Sequence, residues 1–392
     1  MQRAKRLELI PPYLFGEIAA AKRKAIAEGR DLIDLGIGDP DQPTPSVIID
    51  RLYEEAKDPE THRYDESNAG DAAFLNAAAQ WFEKRFGVTL DPTNELLLLI
   101  GSKEGLAHLC WAYVDPGDYT LVQDPSYTVP KVNTLLAGGT PYSMPLTAEN
   151  KFLPDLSAVP TDIAKKAKIL FLNYPHNPTG AIATPEFFAE AVAFAKEHDL
   201  LICQDCAYSE VGYDGYRAPS ILQTPGAKDV AIETHSLSKT LNMTGWRVGF
   251  AAGNPDAIAT LNRMKSNVDS KQFAAIDRAA GWAMLHVDND ATLELYRRRR
   301  DILIDGLNSL GWNLEKPKAA FYAWIPCPPG YTSMTFAKAL LEQAGVLAIP
   351  GLGYGEYGDP YVRMSLTVMG DKNGERVQEA IERIRQNLQI RW

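Results

Sequence analysis

One lysine stands in a sequence context that could support covalent chemistry. The stretch 234–250 reads THSLSKTLNMTGWRVGF, in which Ser236 and Ser238 precede Lys239 and Arg247 follows eight residues later. The lysine offers an amine nucleophile, and its neighbours offer hydrogen-bond donors for an anion. A lysine or a serine-rich turn is common by itself, but the combination is far rarer. An amine beside a phosphate site indicates pyridoxal 5'-phosphate (PLP), a phosphorylated aldehyde cofactor.

A second candidate anion site is the segment 101–105, with the sequence GSKEG. It follows an apolar run that ends at Ile100, and it opens a helical stretch. Backbone N–H groups in the first turn of a helix lack helical acceptors, and the positive end of the helix dipole favours a phosphate there. The segment is neither a Walker A sequence nor a GxGxxG sequence, so a nucleotide is disfavoured as the ligand.

Polar residues also stand at the ends of two other β-rich runs. Asn173 ends one run and is followed by Asn177, while Asp205 ends the next and is followed by Tyr208. An aspartate there could be a turn or helix-cap residue, and an Asn-Pro pair is a common turn former. The position of Asp205 directly after an apolar strand favours a ligand site instead, because open α/β sheets bind ligands outside the carboxyl ends of their strands.

These residues need a scaffold that places strand ends side by side. Between about residues 95 and 252, short β-rich runs alternate with helical stretches, which is typical of an α/β domain with a largely parallel sheet. The β-rich runs are 95–100, 120–123, 168–173, 200–205, 230–234 and 248–252. The helical stretch 185–197 carries apolar residues at helical spacing, and we interpret that face as core.

The sequence pattern changes near residue 286. A long charged helix is predicted over 291–310, followed by strands and a closing helix over 374–388. We therefore predict three parts of the chain. Residues 1–45 form an N-terminal arm and part of a small domain, residues 46–285 form a large cofactor-binding domain, and residues 286–392 form the small C-terminal domain.

Composition excludes several classes of protein. The 392 residues are 45% hydrophobic and 23% charged, which is ordinary globular usage. Acidic residues outnumber basic ones by 50 to 40, and the one short basic cluster, 297–300, lies in a helical stretch, so nucleic acid is disfavoured as a partner. No apolar run reaches the roughly 18 residues of a membrane span, and residues 1–5 do not resemble a signal peptide. We expect a cytoplasmic enzyme with no membrane partner.

Cys203 and Cys206 form a CxxC pair, which could indicate redox chemistry or zinc. A tetrahedral zinc site would need a second close pair, and none of the six histidines has ligand spacing near these cysteines. The run 200–205 reads as a buried strand, where cysteine behaves as a small hydrophobic residue. We predict structural cysteines and no metal.

Taken together, the motifs resemble the class I and II aminotransferases of PLP-dependent fold type I along nearly the whole chain. The resemblance implies an α/β large domain with a mostly parallel sheet flanked by helices, plus a smaller α/β domain. The stretch around Lys239 is similar to the family's Ser-x-Ser-Lys followed by an arginine, a highly specific motif. It implies that Lys239 is catalytic and binds PLP as a Schiff base. It also implies that Ser236, Ser238 and Arg247 surround the cofactor phosphate.

The resemblance assigns roles to the residues after two other strands. The Asp-x-x-Tyr pattern implies that Asp205 faces the pyridine nitrogen and Tyr208 the phenolic oxygen, both with catalytic roles. A carboxylate keeps that nitrogen protonated, and a protonated ring stabilises the carbanion formed when the substrate Cα loses its proton. The Asn-Pro-Thr-Gly signature implies that Asn177 hydrogen-bonds the O3' atom of the cofactor.

Further contacts follow from the same resemblance. Ser102 and Lys103 would lie under the phosphate, and Tyr127 would stack on the pyridine ring. Arg363, in a segment similar to the family's Arg-x-Ser-Leu, would bind the substrate α-carboxylate, although a structural salt bridge is the plainer interpretation. Tyr64, followed by Gly70, would reach the phosphate of a neighbouring subunit, which implies a homodimer with shared active sites.

Within this family, the chain most resembles the bacterial LL-diaminopimelate aminotransferases of lysine biosynthesis. The segments that carry this resemblance are 10–15, 34–45, 101–105 and 350–358. The implied substrate contacts are Tyr13, Gly38, Asn177, Asn267 and Arg363. Lys271 and Gln272 depart from the pattern, since those enzymes usually have glycine and a small or apolar residue there, and the departure bears on the distal substrate pocket.

The implied reaction moves an amino group between an amino acid and a 2-oxo acid, with 2-oxoglutarate as the expected acceptor. Lys239 would move a proton between the substrate Cα and the cofactor. Side-chain recognition depends on few residues, so alanine, aspartate and aromatic aminotransferases and a C–S lyase of the same fold are alternatives. A regulator that keeps the fold is disfavoured because the chain has neither a DNA-binding extension nor a basic patch.

Overall fold

The computed structural model describes residues 1–10, 14–64, 69–388 and 390. In this part of the chain the α-helices are α1 (Leu14–Ala27), α2 (Ser46–Glu55), α3 (Ala72–Phe86), α4 (Ser102–Tyr113), α5 (Val129–Ala137), α6 (Thr161–Ala164), α7 (Pro185–His198), α8 (Leu237–Thr240), α9 (Pro255–Val268), α10 (Ala274–His286), α11 (Asp290–Asn308), α12 (Ser333–Ala339) and α13 (Glu375–Asn387). The strands are β1 (Ile33–Asp34), β2 (Leu96–Leu99), β3 (Tyr119–Asp124), β4 (Thr140–Pro145), β5 (Ala167–Leu172), β6 (Leu201–Asp205), β7 (Ala231–Ser236), β8 (Gly249–Gly253), β9 (Tyr322–Pro326), β10 (Val346–Leu347), β11 (Ile349–Pro350) and β12 (Tyr361–Ser365).

Strands β2 to β8 form the main sheet, in the order β2-β8-β7-β6-β5-β3-β4. Neighbouring strands pair in parallel except at β8, which is antiparallel to both β7 and β2. The prediction of an α/β fold with a largely parallel sheet is confirmed. Because β2 and β7 both oppose β8, they run in the same direction, and their carboxyl ends lie at one edge of the sheet.

The antiparallel course of β8 brings Arg247 to the same edge as Lys239. Ser236 at the end of β7 pairs with Gly249 at the start of β8, so the connection between them stays at this edge. Leu99 at the end of β2 pairs with the same glycine. The GSKEG segment that follows β2 is therefore placed beside the lysine and the arginine.

Helices cover both faces of the main sheet, so its central strands are buried on each side. Within β5, Leu170 and Leu172 pack in one hydrophobic cluster, while Ile169 and Phe171 pack in another. The four leucines of β2 alternate between the same two clusters. This two-sided burial is why the strands read as continuous apolar runs in the sequence.

A further hydrophobic core takes side chains from both ends of the chain. Ile33 and Leu35 pack there with residues of α11, α13 and the antiparallel sheet β11-β12-β9. The parallel pair β1 and β10 joins the same two parts of the chain. A small domain built from 1–45 and 286–392 would need this packing, and its boundaries stay a prediction. Tyr208, which follows β6, also packs in this core, so it lies at the junction with the main sheet.

The predicted elements correspond closely to the observed ones. The six predicted runs are β2, β3, β5, β6, β7 and β8, and the three predicted helices are α7, α11 and α13. Strand β4 is missed because it is an edge strand with two prolines and mostly half-buried residues. None of the described helices is long and apolar enough to span a membrane.

Candidate active site

A cavity of about 530 Å³ lies at the carboxyl ends of the parallel strands. It is lined by Gly38, Ser102, Lys103, Tyr127, Thr128, Val129, Asn173, Asn177, Asp205, Ala207, Tyr208, Ser236, Ser238, Lys239, Thr244, Arg247, Tyr322, Tyr354 and Arg363. The structure thus brings together all of the predicted cofactor residues except Tyr64, and adds Gly38 and Arg363 from the predicted substrate residues.

Lys239 lies in α8, directly after β7. Its side chain is 16% exposed and stands 3.9 Å from the carboxylate of Asp39, while its Nζ donates a hydrogen bond to the carbonyl oxygen of Gly38 at 3.1 Å. Burial lowers the pKa of Lys239 to about 8, against the charge of Asp39 and together with the charges of Arg363 and Arg247. At neutral pH the amine is therefore uncharged far more often than that of an ordinary lysine, as a nucleophile or base requires.

Asp205 ends β6 and presents a buried carboxylate to the cavity. Its Oδ1 accepts a hydrogen bond from the hydroxyl of Thr234 at 3.0 Å, and its backbone carbonyl accepts one from Asn173 Nδ2 at 2.7 Å. Burial raises the pKa of Asp205 to about 6, although the Thr234 bond and the nearby His235 act against it. A cationic group such as a protonated ring nitrogen would supply the charge that stabilises this carboxylate.

Tyr208 comes three residues after Asp205, and its hydroxyl lies 2.8 Å from the hydroxyl of Tyr322 in β9. Burial raises the pKa of both phenols, so both are neutral at physiological pH. The Tyr322 hydroxyl also occupies the space that a side chain at Gly38 would need. A glycine is therefore required at position 38 for this tyrosine to reach Tyr208.

The N-terminus of α4 forms an anion-binding end of the cavity. Gly101 precedes the helix with a φ of +79°, and a side chain there would collide with the guanidinium of Arg247. Arg247 itself has a φ of +58°, and its Nη1 donates to the carbonyl oxygen of Thr244 at 3.0 Å. Ser102 and Ser238 line the same end. N–H groups of the first helical turn together with a guanidinium are suited to a phosphate.

Arg363 and Asn177 form another part of the wall. Arg363 donates from Nη1 to Asn177 Oδ1 at 3.0 Å and from Nη2 to the carbonyl oxygen of Gly36 at 2.7 Å. Its buried Nε has no hydrogen-bond partner among the described residues. The backbone N–H of Asn177 donates to Asn173 Oδ1 at 2.8 Å, which fixes this loop. A buried guanidinium with an unused donor is suited to a ligand carboxylate.

The charges around the cavity suit a ligand with anionic groups. The cavity is lined by four basic side chains, those of Lys103, Lys239, Arg247 and Arg363, and by one carboxylate, that of Asp205. Buried like charges disfavour one another unless an anion lies between them. PLP fits this set, because its phosphate matches the α4 end, its aldehyde matches the lysine and its ring nitrogen matches the aspartate. A substrate carboxylate matches Arg363.

Two predicted site residues, Tyr64 and Asn267, lie outside this cavity. Tyr64 is 96% exposed and lines a separate cavity of about 490 Å³ together with Lys271. Asn267 is exposed near the end of α9, where its Nδ2 donates to the carbonyl oxygen of Arg263 at 2.8 Å. Neither lines the cavity around Lys239 in the described part of the chain, so their predicted roles stay predictions. Tyr13 lies outside the described residues.

Sequence reasoning missed several residues that the structure places in or beside the cavity. Tyr322, Tyr354 and Thr244 line it, and Asp39 stands near Lys239. Tyr322 begins a strand, where tyrosine is an ordinary strand former and gives no functional signal. Asp39 could have been found, because it follows Gly38 in a segment that the resemblance already singled out.

The cysteines are free, and burial raises the pKa of each thiol. His235 has no metal-ligand spacing to the CxxC pair in the sequence, but the fold places it with Glu233 beside Cys206, their ligand atoms within 4.8 Å of one another. The Glu233 carboxylate already accepts hydrogen bonds from Ser220 Oγ at 2.8 Å and from the amide of Ile221 at 2.7 Å. These contacts favour a structural role for the group.

The chain is similar in sequence and in fold to known aminotransferases. A protein named LL-diaminopimelate aminotransferase from Moorella thermoacetica is 55% identical over 391 residues, which cover 99% of each chain. One of the same name from Aquifex aeolicus is 48% identical over 98% of each chain. Among solved structures, BacF from Bacillus subtilis with bound substrate has a TM-score of 0.92 at 35% identity and 98% coverage of both chains.

A probable N-succinyldiaminopimelate aminotransferase from Thermus thermophilus has a TM-score of 0.88 at 38% identity, and covers 96% of this chain and 100% of its own. The family model described as aminotransferase class I and II matches residues 30–384. That range holds every cavity residue named above, including the lysine, the aspartate and the two arginines. This chain therefore belongs to the class I and II aminotransferases, and it is a PLP-dependent transaminase of fold type I.

Proposed function

We propose that the cavity around Lys239 holds PLP and that its residues divide the work of transamination. The phosphate is bound by Ser102, Lys103, Ser236, Ser238 and Arg247. Asp205 pairs with the ring nitrogen, Tyr208 and Asn177 hydrogen-bond the phenolic oxygen, and Tyr127 stacks on the ring. When bound, PLP supplies an electron-withdrawing ring that stabilises negative charge on the substrate Cα. Support comes from the convergence of these side chains on one cavity.

Lys239 is the proposed nucleophile and proton carrier. Lys239 would hold the cofactor through its amine and would take the Cα proton of a bound substrate, and a pKa of about 8 leaves enough uncharged amine at neutral pH for both roles. Its Nζ lies beside the Gly38 carbonyl and near Asp39, both on the segment that also contacts Arg363 through Gly36. The base and the carboxylate site are thus held by one stretch of backbone.

Arg363 is the proposed site for the substrate α-carboxylate. The residue is 5% exposed, and its guanidinium is oriented by Asn177 and by the rings of Tyr322 and Tyr354, at 4.3 and 5.1 Å. A planar guanidinium binds a carboxylate through two parallel hydrogen bonds, which orients the substrate Cα as well as holding it. A lysine at this position would keep the charge but lose that orientation.

For the substrate, we propose LL-diaminopimelate as amino donor and 2-oxoglutarate as acceptor, in the reversible reaction of lysine biosynthesis. The single observation that carries this is identity of 48–55% with proteins of that name over nearly the full length of both chains. Solved structures of other aminotransferases in the family are less similar, with 27% identity for a Thermus thermophilus aspartate aminotransferase. The location proposed for the enzyme is the cytoplasm, where this pathway operates.

A panel of amino donors tests the substrate. Purified protein is incubated with 2-oxoglutarate and LL-diaminopimelate, alanine, aspartate or tyrosine, and glutamate formation is measured; cystathionine without acceptor tests for a lyase through pyruvate release. We expect kcat/KM to be highest for LL-diaminopimelate by at least about tenfold. A higher value for another donor, or pyruvate from cystathionine, contradicts the proposed substrate but not the PLP chemistry.

We further propose that two copies of the chain share their active sites, with Tyr64 reaching the phosphate of the neighbour and Lys271 and Asn267 facing its distal substrate pocket. Tyr64 and Lys271 line one cavity on this chain, and the exposed fraction of Tyr64 is far larger than a buried role within a single chain allows. A cation at position 271 would attract the distal carboxylate of a diamino diacid. Lys271→Gly should then raise KM for LL-diaminopimelate more than KM for alanine.

Mixing two inactive variants tests the shared site. Tyr64→Ala removes the residue given to the partner, and Lys239→Ala removes the lysine of the chain's own cavity. In a hybrid dimer one cavity has both residues intact, so random mixing should restore about a quarter of the wild-type kcat. Activity no higher than the sum of the two parents, after exchange of subunits has been verified by mass, would show that each cavity is complete within one chain.

A further inference from the structure

Tyr322 stands at a meeting point of three parts of the site. Its hydroxyl lies 2.8 Å from that of Tyr208, its ring lies 4.3 Å from the Arg363 guanidinium, and it fills the space beside Gly38. It is 1% exposed, and no role in the reaction has been given to it so far. A buried residue that touches both the carboxylate site and the cofactor site can link them.

The antiparallel sheet fixes Tyr322 relative to Arg363. In the register of β9 and β12, Tyr322 is opposite Ser365 and Arg363 is opposite Trp324. Tyr322 and Arg363 are therefore diagonal neighbours on one face of the sheet, close enough for long side chains to touch. Tyr208 follows β6 of the main sheet and packs in the same hydrophobic core as Tyr322, so the hydroxyl contact joins residues that come from two different sheets.

A single hydrogen bond joins the two hydroxyls, and either hydroxyl could be its donor. If Tyr208 donates to Tyr322, the single proton of Tyr208 is used and only its lone pairs face the cavity. If Tyr322 donates, Tyr208 keeps its own proton for a ligand. A cation beside a phenol makes that phenol the better donor, and Arg363 lies against the Tyr322 ring.

We propose that Tyr322 is a positioning residue that donates its hydroxyl proton to Tyr208, which leaves the proton of Tyr208 free to hydrogen-bond the phenolic oxygen of PLP. The proposal rests on the role given above to Tyr208. Hydrogen bonds in a chain strengthen one another, so the bond from Tyr322 strengthens the bond from Tyr208. When a substrate carboxylate binds Arg363, it offsets the cation, and both bonds weaken together.

The charged and titratable groups around this pair are few. Arg363 lies against the Tyr322 ring from β12, and the charge of Asp39, after β1, acts to raise the pKa of Tyr322. The charge of Asp205 acts to raise the pKa of Tyr208, and Lys239 lines the same cavity. Arg247 adds positive charge from the phosphate end. Replacing the Tyr322 hydroxyl alone leaves all of these groups in place, so a change in the cofactor's titration can be assigned to the hydrogen bond.

The test is a pH titration of the visible absorbance of the holoenzyme, which reports protonation of the nitrogen that joins lysine and cofactor. Negative charge on the phenolic oxygen stabilises the protonated nitrogen, and a hydrogen bond from Tyr208 draws that charge away. Tyr322→Phe should weaken that bond and raise the midpoint by about half to one pH unit. The kcat should fall severalfold, while KM for the amino donor stays within about twofold because the ring over Arg363 is kept.

Three controls separate the outcomes. Tyr213→Phe removes another buried tyrosine hydroxyl, with its ring 5.0 Å from Arg300 and outside the cavity, and should leave the midpoint unchanged. In a Tyr208→Phe background, Tyr322→Phe should cause no further shift. Tyr322→Leu, which also removes the ring, should in addition raise KM for the amino donor.

A downward shift in Tyr322→Phe would mean that Tyr208 is the donor, and no shift would mean that the contact does not reach the cofactor; either result overturns the proposal. Should the variant fail to fold, the rise caused by succinate at Arg363 is compared in the wild type and in Tyr208→Phe. Offsetting the Arg363 charge raises the midpoint in both proteins, but the rise must be larger in the wild type if the link exists, so equal rises overturn the proposal. Absence of visible absorbance or of a borohydride-reduced cofactor on Lys239 in the wild type would refute the cofactor attachment itself, which is a separate failure.

Discussion

Helix α4 connects two buried groups of charges that behave in opposite ways. Its first residues line the cofactor cavity, while Glu104 and His108 face a cluster with Lys265 and Asp269. In this cluster the ammonium of Lys265 lies 2.8 Å from Glu104 Oε1 and 2.6 Å from Asp269 Oδ1. The pKa of Glu104 is lowered even though burial raises it, because His108 and the ammonium outweigh the burial.

In the cavity the same burial has no such compensation. The pKa of Lys239 falls to about 8 and that of Asp205 rises to about 6, each towards the uncharged form. Lys265 and Lys239 are both largely buried, with side chains 3% and 16% exposed, so depth does not separate them. A buried charge that is paired with an opposite charge of the same chain contributes to the stability of the fold. A buried charge without such a partner is suited to bind a ligand.

The largest effect on catalysis is expected at Lys239, whose buried amine is not compensated by the charges of the chain. Lys239→Ala removes the amine that attaches PLP and moves the Cα proton, so kcat should fall by at least about a thousandfold. The free energy of unfolding of the cofactor-free protein should be unchanged or higher, since a disfavoured buried amine is lost. Steady-state kinetics and urea denaturation measure the two quantities. Residual activity near that of the wild type would assign the chemistry to another residue.

Lys265→Met should have the reverse pattern. It leaves the carboxylate of Glu104 buried without its cation, which should lower the free energy of unfolding by about 3 kcal/mol. The cofactor should still attach to Lys239, as judged by visible absorbance, and kcat should change by less than about tenfold. A loss of cofactor binding with unchanged stability would show that the cluster belongs to the active site rather than to the scaffold.

Asp205→Asn tests the effect of an uncompensated buried charge on catalysis and on stability in one variant. Loss of the charge opposite the ring nitrogen should lower kcat by about a hundredfold. The carboxyl pKa is raised on folding, from 3.8 to about 6, so the folded state binds more protons than the unfolded state between these values. Wild-type stability should therefore fall as the pH rises from about 4 to about 6, and the variant should lack this loss. Equal pH profiles for the two cofactor-free proteins would contradict the assignment.

The cavity was predictable because parallel strands end at one edge of a sheet. Asp205, Asn177 and Lys239 each come shortly after a β-rich run of the predicted parallel sheet, and a ligand site is expected at the carboxyl ends of such strands. The position of Arg247 could not be predicted in this way, because it depends on the antiparallel direction of β8, which the sequence pattern does not reveal. Its expected place came from the resemblance to a family, not from periodicity.

The charge cluster could not be predicted in the same way. Glu104 and Lys265 are 161 residues apart, and each reads as an ordinary charge on a helix. Their contact depends on how α4 packs against α9, and side-chain pairing between helices leaves no periodic signal in a single sequence. Tyr322 was missed for a similar reason, because its partner Tyr208 comes from another part of the fold.

The smallest expected effect tests whether charge, rather than shape, completes the cluster. Glu104→Gln keeps an oxygen that can accept the hydrogen bond from the amide of Ile100, 2.5 Å away, but removes the negative charge. By itself it should lower the free energy of unfolding by about 1–2 kcal/mol, because Lys265 then loses one of its two carboxylates. In the Lys265→Met background the same change should instead raise stability by about 1 kcal/mol, since the uncompensated charge is gone. If the losses of unfolding free energy in the two single variants add in the double variant, Glu104 and Lys265 act through packing. Charge pairing would then not explain the difference between this cluster and the cavity.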